Sequence, residues 1–430
     1  MNAPEFTIQT FQNEYLPLGG CEVNAVITVT SAGGPDRPAD AATSGGAAEI
    51  IIIDRSGSMS GSKIVEARRA AAAAVDVIRD GVGFAVVAGT STARPVYPDD
   101  GSLAVAASGT RAAAQQAISR VKAGGGTAIG SWLRLAHQIF GTRPAALRHA
   151  ILLTDGKNGE RPRQLDAAIE LCQGVFSCDC RGVGTGWRVA ELRKISAALL
   201  GTVGIVAEPA GLAADFEAIM QTAMDKEVAD VMLRVRVPQT ARVRFVKQTA
   251  PTIEDLTGRR TEAGPQAGDY PTGAWGGQES RDYHLCVEVQ AATVGQEMQA
   301  ARVSLVLSSP SGTEVLGQEM IKAMWTDNEE WSTRIDPRVA KATGQTELAA
   351  AIQEGLAARR AGDPQTATAR LGRAVALAHA SGQEETAQLL TRVVDVVDPV
   401  TGTVRLKPKV RDVDEMTLDV ESTKTVRVKR

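Results

Sequence analysis

The chain is poor in everything that would tie it to a membrane, to nucleic acid or to a disulfide framework. Its 47 Lys and Arg nearly cancel its 50 Asp and Glu, a net of −3, so no bulk field gathers phosphates or anionic headgroups. No apolar run approaches the roughly 18 residues that a membrane-spanning helix needs. The opening stretch MNAPEFTIQTFQNEYLPLGG lacks a basic region followed by an apolar one, so we expect a cytoplasmic protein. Five cysteines, Cys21, Cys172, Cys178, Cys180 and Cys286, are an odd number spread over 430 residues, which suits reduced thiols rather than disulfides. Cys178 and Cys180 lie two apart in the strand-like run VFSCDCRGVG and face the same way. The four histidines make no zinc-spaced cluster with them, so both read as buried structural thiols.

What the chain has is a sequence of distinct patterns. At roughly 100–200 residues per domain, its length allows about two to four domains. Residues 1–46 hold a strand-like stretch, CEVNAVITVT, followed by a Gly, Pro, Ala and Asp-rich linker at 31–47. From 47 to 226, short apolar runs alternate with Ala-rich helical stretches, the pattern of an α/β domain with a doubly wound, mostly parallel sheet. AEIIIID at 48–54 is apolar without interruption, as befits a central strand covered on both faces. From 227 to 333 the helical period gives way to β-type runs separated by Gly, Pro and Ser turns, which predicts a sandwich. The early strand has no sheet of its own, so we expect it to join that sandwich, with the α/β domain inserted between the two. Residues 334–398 carry Ala and Leu at helical spacing, broken at 362–364 and 381–383, and predict a short tetratricopeptide-like hairpin or bundle. Residues 399–430 are charged and Thr-rich, and predict a flexible tail.

The chemistry concentrates where the first strand of the α/β domain ends. Asp54, Ser56 and Ser58 place three oxygens at alternate positions of one loop, and oxygen donors are what a small, hard cation selects. Ligands of open α/β sheets bind at the carboxyl ends of strands. Two further loops belong to that edge, Gly124-Gly125-Gly126-Thr127 and Thr154-Asp155-Gly156. Singly, each is an ordinary helix cap or turn. Together they form the pattern Asp-x-Ser-x-Ser, then Thr, then Asp at a later strand end.

That combination resembles the von Willebrand factor A domain and its metal-ion-dependent adhesion site, over residues 48 to 225, with all five motif positions matched by Asp54, Ser56, Ser58, Thr127 and Asp155. The resemblance implies a Rossmann-like fold in which the two serines, and in some states the threonine, ligate Mg²⁺, or alternatively Mn²⁺ or Ca²⁺. It implies aspartates that act mainly through water or hydrogen bonds, and a position left for the carboxylate of a protein partner. The wider architecture is similar to that of uncharacterised bacterial cytosolic proteins of this kind, which suggests a scaffold in a signalling complex.

Enzymatic readings of the same residues fail at named positions. Haloacid-dehalogenase-like phosphoryl transfer from Asp54 needs a second carboxylate two residues on, where this chain has Ser56. A phosphate-binding loop needs Gly-Lys-Ser/Thr, whereas Gly61-Ser62-Lys63 reverses the last pair. A metal-dependent phosphoryl-transfer or hydrolytic enzyme built on Asp54 and Asp155 remains the alternative to a non-enzymatic scaffold. Thr154 reads as a ligand or as a strand-end hydroxyl, and Arg55 as an exposed side chain or a cation receiving an acidic partner. Trp275 reads as a sandwich-edge aromatic or a partner contact. Thr417, Thr423 and Thr425 follow acidic residues; they belong either to a solvated tail or to a phosphothreonine segment for an Arg-lined reader.

Overall fold

The computed structural model describes residues 4–33, 46–309 and 312–425. They fall into two compact units: 46–229 in one, and 4–33 together with 230–425 in the other. Most of the expected linker, residues 34–45, lies outside the described residues.

In chain order the first strands are β1 (Glu5–Gln12), β2 (Tyr15–Pro17) and β3 (Glu22–Ala32). The α/β unit follows with β4 (Ala47–Asp54), α1 (Ser62–Val77), β5 (Gly83–Gly89), β6 (Ala93–Tyr97), β7 (Ala104–Val105), α2 (Ser108–Ser119) and α3 (Ile129–Phe140). It continues through β8 (Leu147–Thr154), α4 (Pro162–Cys172), β9 (Ser177–Val183), α5 (Val189–Ala198), β10 (Val203–Val206) and α6 (Leu212–Met224). Its seven-stranded sheet runs β10-β9-β8-β4-β5-β6, with β7 also on β5. The pairs from β10 through to β5 are parallel, and β6 and β7 join β5 antiparallel.

The isoleucine run of β4 is explained by its place between β5 and β8. Side chains alternate across a strand. Ile51 and Ile53 pack with Ala67, Ala71 and Val75 of α1 and Phe216 and Met220 of α6, while Ile50 and Ile52 are buried as completely on the opposite face. Cys178 and Cys180 of β9 are buried free thiols, as expected. From β4 the chain winds to β5 on one side and later to β8 on the other, which makes the carboxyl end of β4 the topological switch point where such sheets bind ligands.

The second unit contains β11 (Lys226–Arg236), β12 (Ala241–Ala250), β13 (Glu254–Asp255), β14 (Thr261–Glu262), β15 (Ala267–Gly276), β16 (Ser280–Val289), β17 (Glu297–Ser309) and β18 (Gly312–Thr326). One sheet runs β1-β3-β16-β12-β13 and another β14-β15-β11-β17-β18-β2. β3 therefore pairs with β16, antiparallel, with Ile27 opposite Tyr283. Trp275 is wholly buried rather than at an edge: its indole N–H donates to Thr272 Oγ1 at 2.9 Å and the Arg281 guanidinium stacks 4.1 Å from the ring centre. That placement leaves it no surface for a partner.

Helices α7 (Glu329–Thr333), α8 (Pro337–Arg360), α9 (Pro364–Ala380) and α10 (Glu384–Val393) lead to β19 (Val394–Asp398), β20 (Thr403–Leu406) and α11 (Asp412–Glu421). Val339 and Ala342 of α8 pack on Val26 of β3. The charged segment expected to be a flexible tail is folded as far as residue 425; 426–430 lie outside the described residues. Met416, Leu418 and Val420 of α11 are buried. Three of its carboxylates are paired rather than solvated: Asp414 with Arg411, Glu415 with Arg359, and Asp419 with Arg360.

Candidate metal centre

Four loops meet at the carboxyl end of β4, and main-chain hydrogen bonds tie them together. The Arg55 N–H donates to Gly89 O at 2.9 Å, the Gly124 N–H to Arg55 O at 2.7 Å, and the Gly57 N–H to Gly125 O at 2.8 Å. Gly125 has φ +95°, and a Cβ there would sit 3.1 Å from Thr90 Cβ, so both backbone and space call for glycine. Trp132 of α3 closes the gap beneath: its indole N–H donates to Thr90 O at 2.7 Å, and a side chain at Gly89 would meet its ring at 2.2 Å. The loop after β8 positions Thr127. Gly159 N–H donates to Thr127 O at 2.7 Å, while Asn158 Oδ1 and Glu160 Oε2 accept from Ile129 and Gly130 N–H at 3.0 and 2.6 Å. These last two bonds satisfy amides in the first turn of α3.

Within that frame Asp54 is fully buried and Ser56 nearly so, at 0% and 2% exposed. Asp54 Oδ1 accepts from Ser56 N–H at 2.7 Å, and Oδ2 accepts from Thr154 Oγ1 at 2.6 Å. Burial pushes the Asp54 carboxyl upward, against these hydrogen bonds, and the charge of Asp155 pushes the same way. Ser56 Oγ and Ser58 Oγ are 3.0 Å apart, and Ser58 Oγ donates to Asp155 Oδ1 at 2.6 Å. Thr154 is thus the strand-end hydroxyl that orients Asp54.

Gly156 shows where these oxygens converge. A Cβ built on it would lie 3.1 Å from Thr127 Oγ1, 3.5 Å from Ser58 Oγ and 3.9 Å from Asp54 Oδ2. Oxygens from two loops, the one after β4 and the one before α3, therefore surround one small hollow beside Asp155. Asp54, Ser56, Ser58, Thr127 and Asp155, separate in the chain, are brought to one place. Among the described residues no group of three or more His, Cys, Asp and Glu is arranged to hold a metal, so this donor set relies on hydroxyls with two carboxylates. Such all-oxygen sets suit Mg²⁺, Mn²⁺ or Ca²⁺ rather than softer metals, and the residues present fit that class of ion.

The residue least legible from sequence is Lys63. Its amine pairs with Asp155 Oδ2 while staying 31% exposed. Read along the chain it marks only a failed phosphate loop; its role comes from the turn that starts α1 and faces it toward β8. Arg55 Nη1 donates to Lys122 O at 2.9 Å, and its Nε is buried without a partner. Thr417 lies within α11, Thr423 Oγ1 donates to Val420 O at 3.3 Å, and Thr425 Oγ1 donates to Thr249 O at 2.8 Å.

Comparison with known proteins places this geometry. The von Willebrand factor type A domain model matches residues 48–205, and the von Willebrand factor type A C-terminal domain model matches 376–422, which takes in all of α11 and the two strands before it. An uncharacterized protein of Synechocystis sp. is 27% identical over 213 residues, 48% of this chain and 49% of that protein, so the match spans about half of that relative. The ArnB paralog VWA2 from Sulfolobus acidocaldarius shares the fold, with TM-score 0.56 at 14% identity, over 98% of this chain and 100% of that one. A von Willebrand factor type A protein from Catenulispora acidiphila superimposes with TM-score 0.93 at 51% identity, covering 99% of this chain and 98% of its own. On that end-to-end likeness and the two domain matches, the chain belongs to the von Willebrand factor type A family.

Proposed function

We propose that this protein is a divalent-metal-dependent interaction scaffold: Ser56, Ser58 and Thr127 hold Mg²⁺, or Mn²⁺ or Ca²⁺ in its stead, and Asp54 and Asp155 orient them. Family membership supports a protein-interaction role, since von Willebrand A domains are generally non-enzymatic modules that often use such a metal. The observation that carries the reading is the hollow at Gly156, ringed by Thr127 Oγ1, Ser58 Oγ and Asp54 Oδ2. When bound, the cation supplies a Lewis-acidic position for an outside carboxylate. The chain's own groups do the rest. Thr154 and the Ser56 amide fix the Asp54 carboxylate, and the glycine-tied loops keep Thr127 facing it.

In this reading the strand-rich and helical parts form a β-sandwich with an appended helical region that presents the α/β unit, in the cytoplasm, to a signalling complex. No helix is long and apolar enough to cross a membrane among the described residues. No observation favours the phosphoryl-transfer alternative: both Asp54 oxygens already accept hydrogen bonds, and Ser56 stands where a proton carrier is required. Retention of a partner on the immobilised protein in Mg²⁺, and its loss on adding chelator, would support the scaffold; indifference to chelator would contradict it. Phosphoproteomics tests the tail reading, in which Thr417, Thr423 or Thr425 carries phosphate.

A further inference from the structure

The four segments that frame the metal hollow carry cations and no acids, although Asp54, Asp155 and Glu160 stand next to them in the chain. Residues 55–61, 90–94, 120–128 and 156–159 contain Arg55, Arg94, Arg120, Lys122 and Lys157, with no Asp, no Glu and no aromatic residue, in a chain whose net charge is −3. Hydrogen bonds hold the four together. Gly124 binds Arg55 O, Gly126 N–H donates to Ser91 Oγ at 3.1 Å, and Gly159 binds Thr127 O. Arg94, Arg120, Lys122 and Lys157 are exposed, and none has a carboxylate partner among the described residues. Other cations of the α/β unit do have carboxylate partners, as in Arg111–Asp80, Arg181–Asp215 and Lys194–Asp166.

We infer that the loops around the metal hollow form a cationic rim that selects an acidic peptide segment, in which one carboxylate reaches the hollow and flanking Asp or Glu side chains pair with Arg55, Arg94, Lys122 and Lys157. This rests on the scaffold reading and adds to it the composition of the partner. Unpaired like charges on loops tied to one another cost stability, and an acidic segment relieves that repulsion while gaining on-rate and selectivity. Nucleic acid fits less well: its footprint needs a basic stripe extending well beyond one cluster of loops, and single strands need aromatic stacking platforms.

Two synthetic peptides test the inference on the full chain in Mg²⁺. One carries a central Asp with Glu at alternate positions on both sides; the other has Gln in place of each Glu. The Glu peptide is expected to bind about tenfold tighter at low ionic strength, with the difference vanishing by about 0.3 M salt. The triple variant R94S/K122S/K157S, with all three sites exposed, should lose that tenfold preference while still binding Mn²⁺ by calorimetry. Equal binding of both peptides by the wild-type protein, an unaltered preference in the triple variant, or an oligonucleotide that displaces the Glu peptide at equal concentration would overturn it. Asp54→Ala separates the two levels. If it abolishes binding of both peptides while the triple variant changes nothing, the metal reading stands and the rim falls. If the Glu peptide binds Asp54→Ala as tightly as wild type but not the triple variant, the rim stands and the metal reading falls.

Discussion

The two ends of strands β4 and β8 carry the same charges arranged to opposite purpose. At the carboxyl end two carboxylates, Asp54 and Asp155, stand beside one cation, Lys63, which pairs with Asp155 and remains 31% exposed. At the amino end, Glu49 and Asp179 also share one cation, His149, which lies between them with Nδ1 2.7 Å from Glu49 and Nε2 3.0 Å from Asp179. Thr202 completes that cluster by donating its amide to Asp179 Oδ1 at 2.6 Å. Burial alone would lower His149, but the Glu49 charge and the Asp179 hydrogen bond push it up to about 10. Burial works against the Asp179 carboxylate too, yet His149 and Arg181 hold it well below the usual range. Burial raises Glu49, with His149 opposing. One end is a closed, internally hydrogen-bonded bridge across three strands. The other leaves Asp54 with neutral donors only, beside a hollow. Two carboxylates and one cation make a staple when the cation is central and dry, and a binding site when it is peripheral and wet.

Removing the imidazolium should break that comparison most visibly. His149→Leu leaves two buried carboxylates facing each other and should cost about 3–5 kcal/mol, read as faster exchange of the β4 and β8 amides, whereas Asp54→Ala should leave those amides nearly unchanged. Similar exchange in both variants would put the two clusters on an equal footing.

The staple also has a pH signature. Because the native value of His149 lies above its ordinary 6.5, its contribution is complete below about pH 6.5 and is lost as pH rises toward about 10; raised Glu49 acts in the same sense. Asp179, held low, contributes above its ordinary range and loses that contribution as pH falls below about 4. The stability gap between wild type and His149→Gln should therefore shrink between about pH 7 and 10. A constant gap would mean that the ring is neutral in the native state.

At the open end the effects are smaller and concern affinity. Gly156→Ala places a methyl 3.1 Å from Thr127 Oγ1, and should weaken Mn²⁺ at least about tenfold with the fold intact. Lys63→Met removes the resident ammonium from Asp155 and should tighten Mn²⁺ by a few-fold, since a cation competes with a cation. Weaker binding instead would show that Lys63 helps to build the site rather than compete for it.

The sequence made this division legible in part. An isoleucine run ending in Asp-x-Ser-x-Ser, with Thr127 and Asp155 at later loops, identified the open end, because each member stands at a strand end that local patterning reveals. The closed end is not legible in the sequence: Glu49, His149 and Asp179 lie far apart in the chain, in three different strands, and only sheet register aligns His149 with Glu49 and with Ser177, two residues before Asp179. Lys63 stands out in the sequence only as a residue out of place in a phosphate-loop pattern. Helix α11 was missed because Met416, Leu418 and Val420 alternate as in a strand, and its acids look solvated until Arg359, Arg360 and Arg411 are found beside them. The Gly-rich turns that flank Trp275 read as a sheet edge, although Arg281 covers its ring.

Calorimetric titration of Mg²⁺ and Mn²⁺ into the wild-type protein and into Asp54→Ala tests the central claim most directly. Saturable binding of one ion per chain by the wild type, absent in Asp54→Ala, is the result this account predicts. Equal binding by both proteins, or none by the wild type, would contradict it.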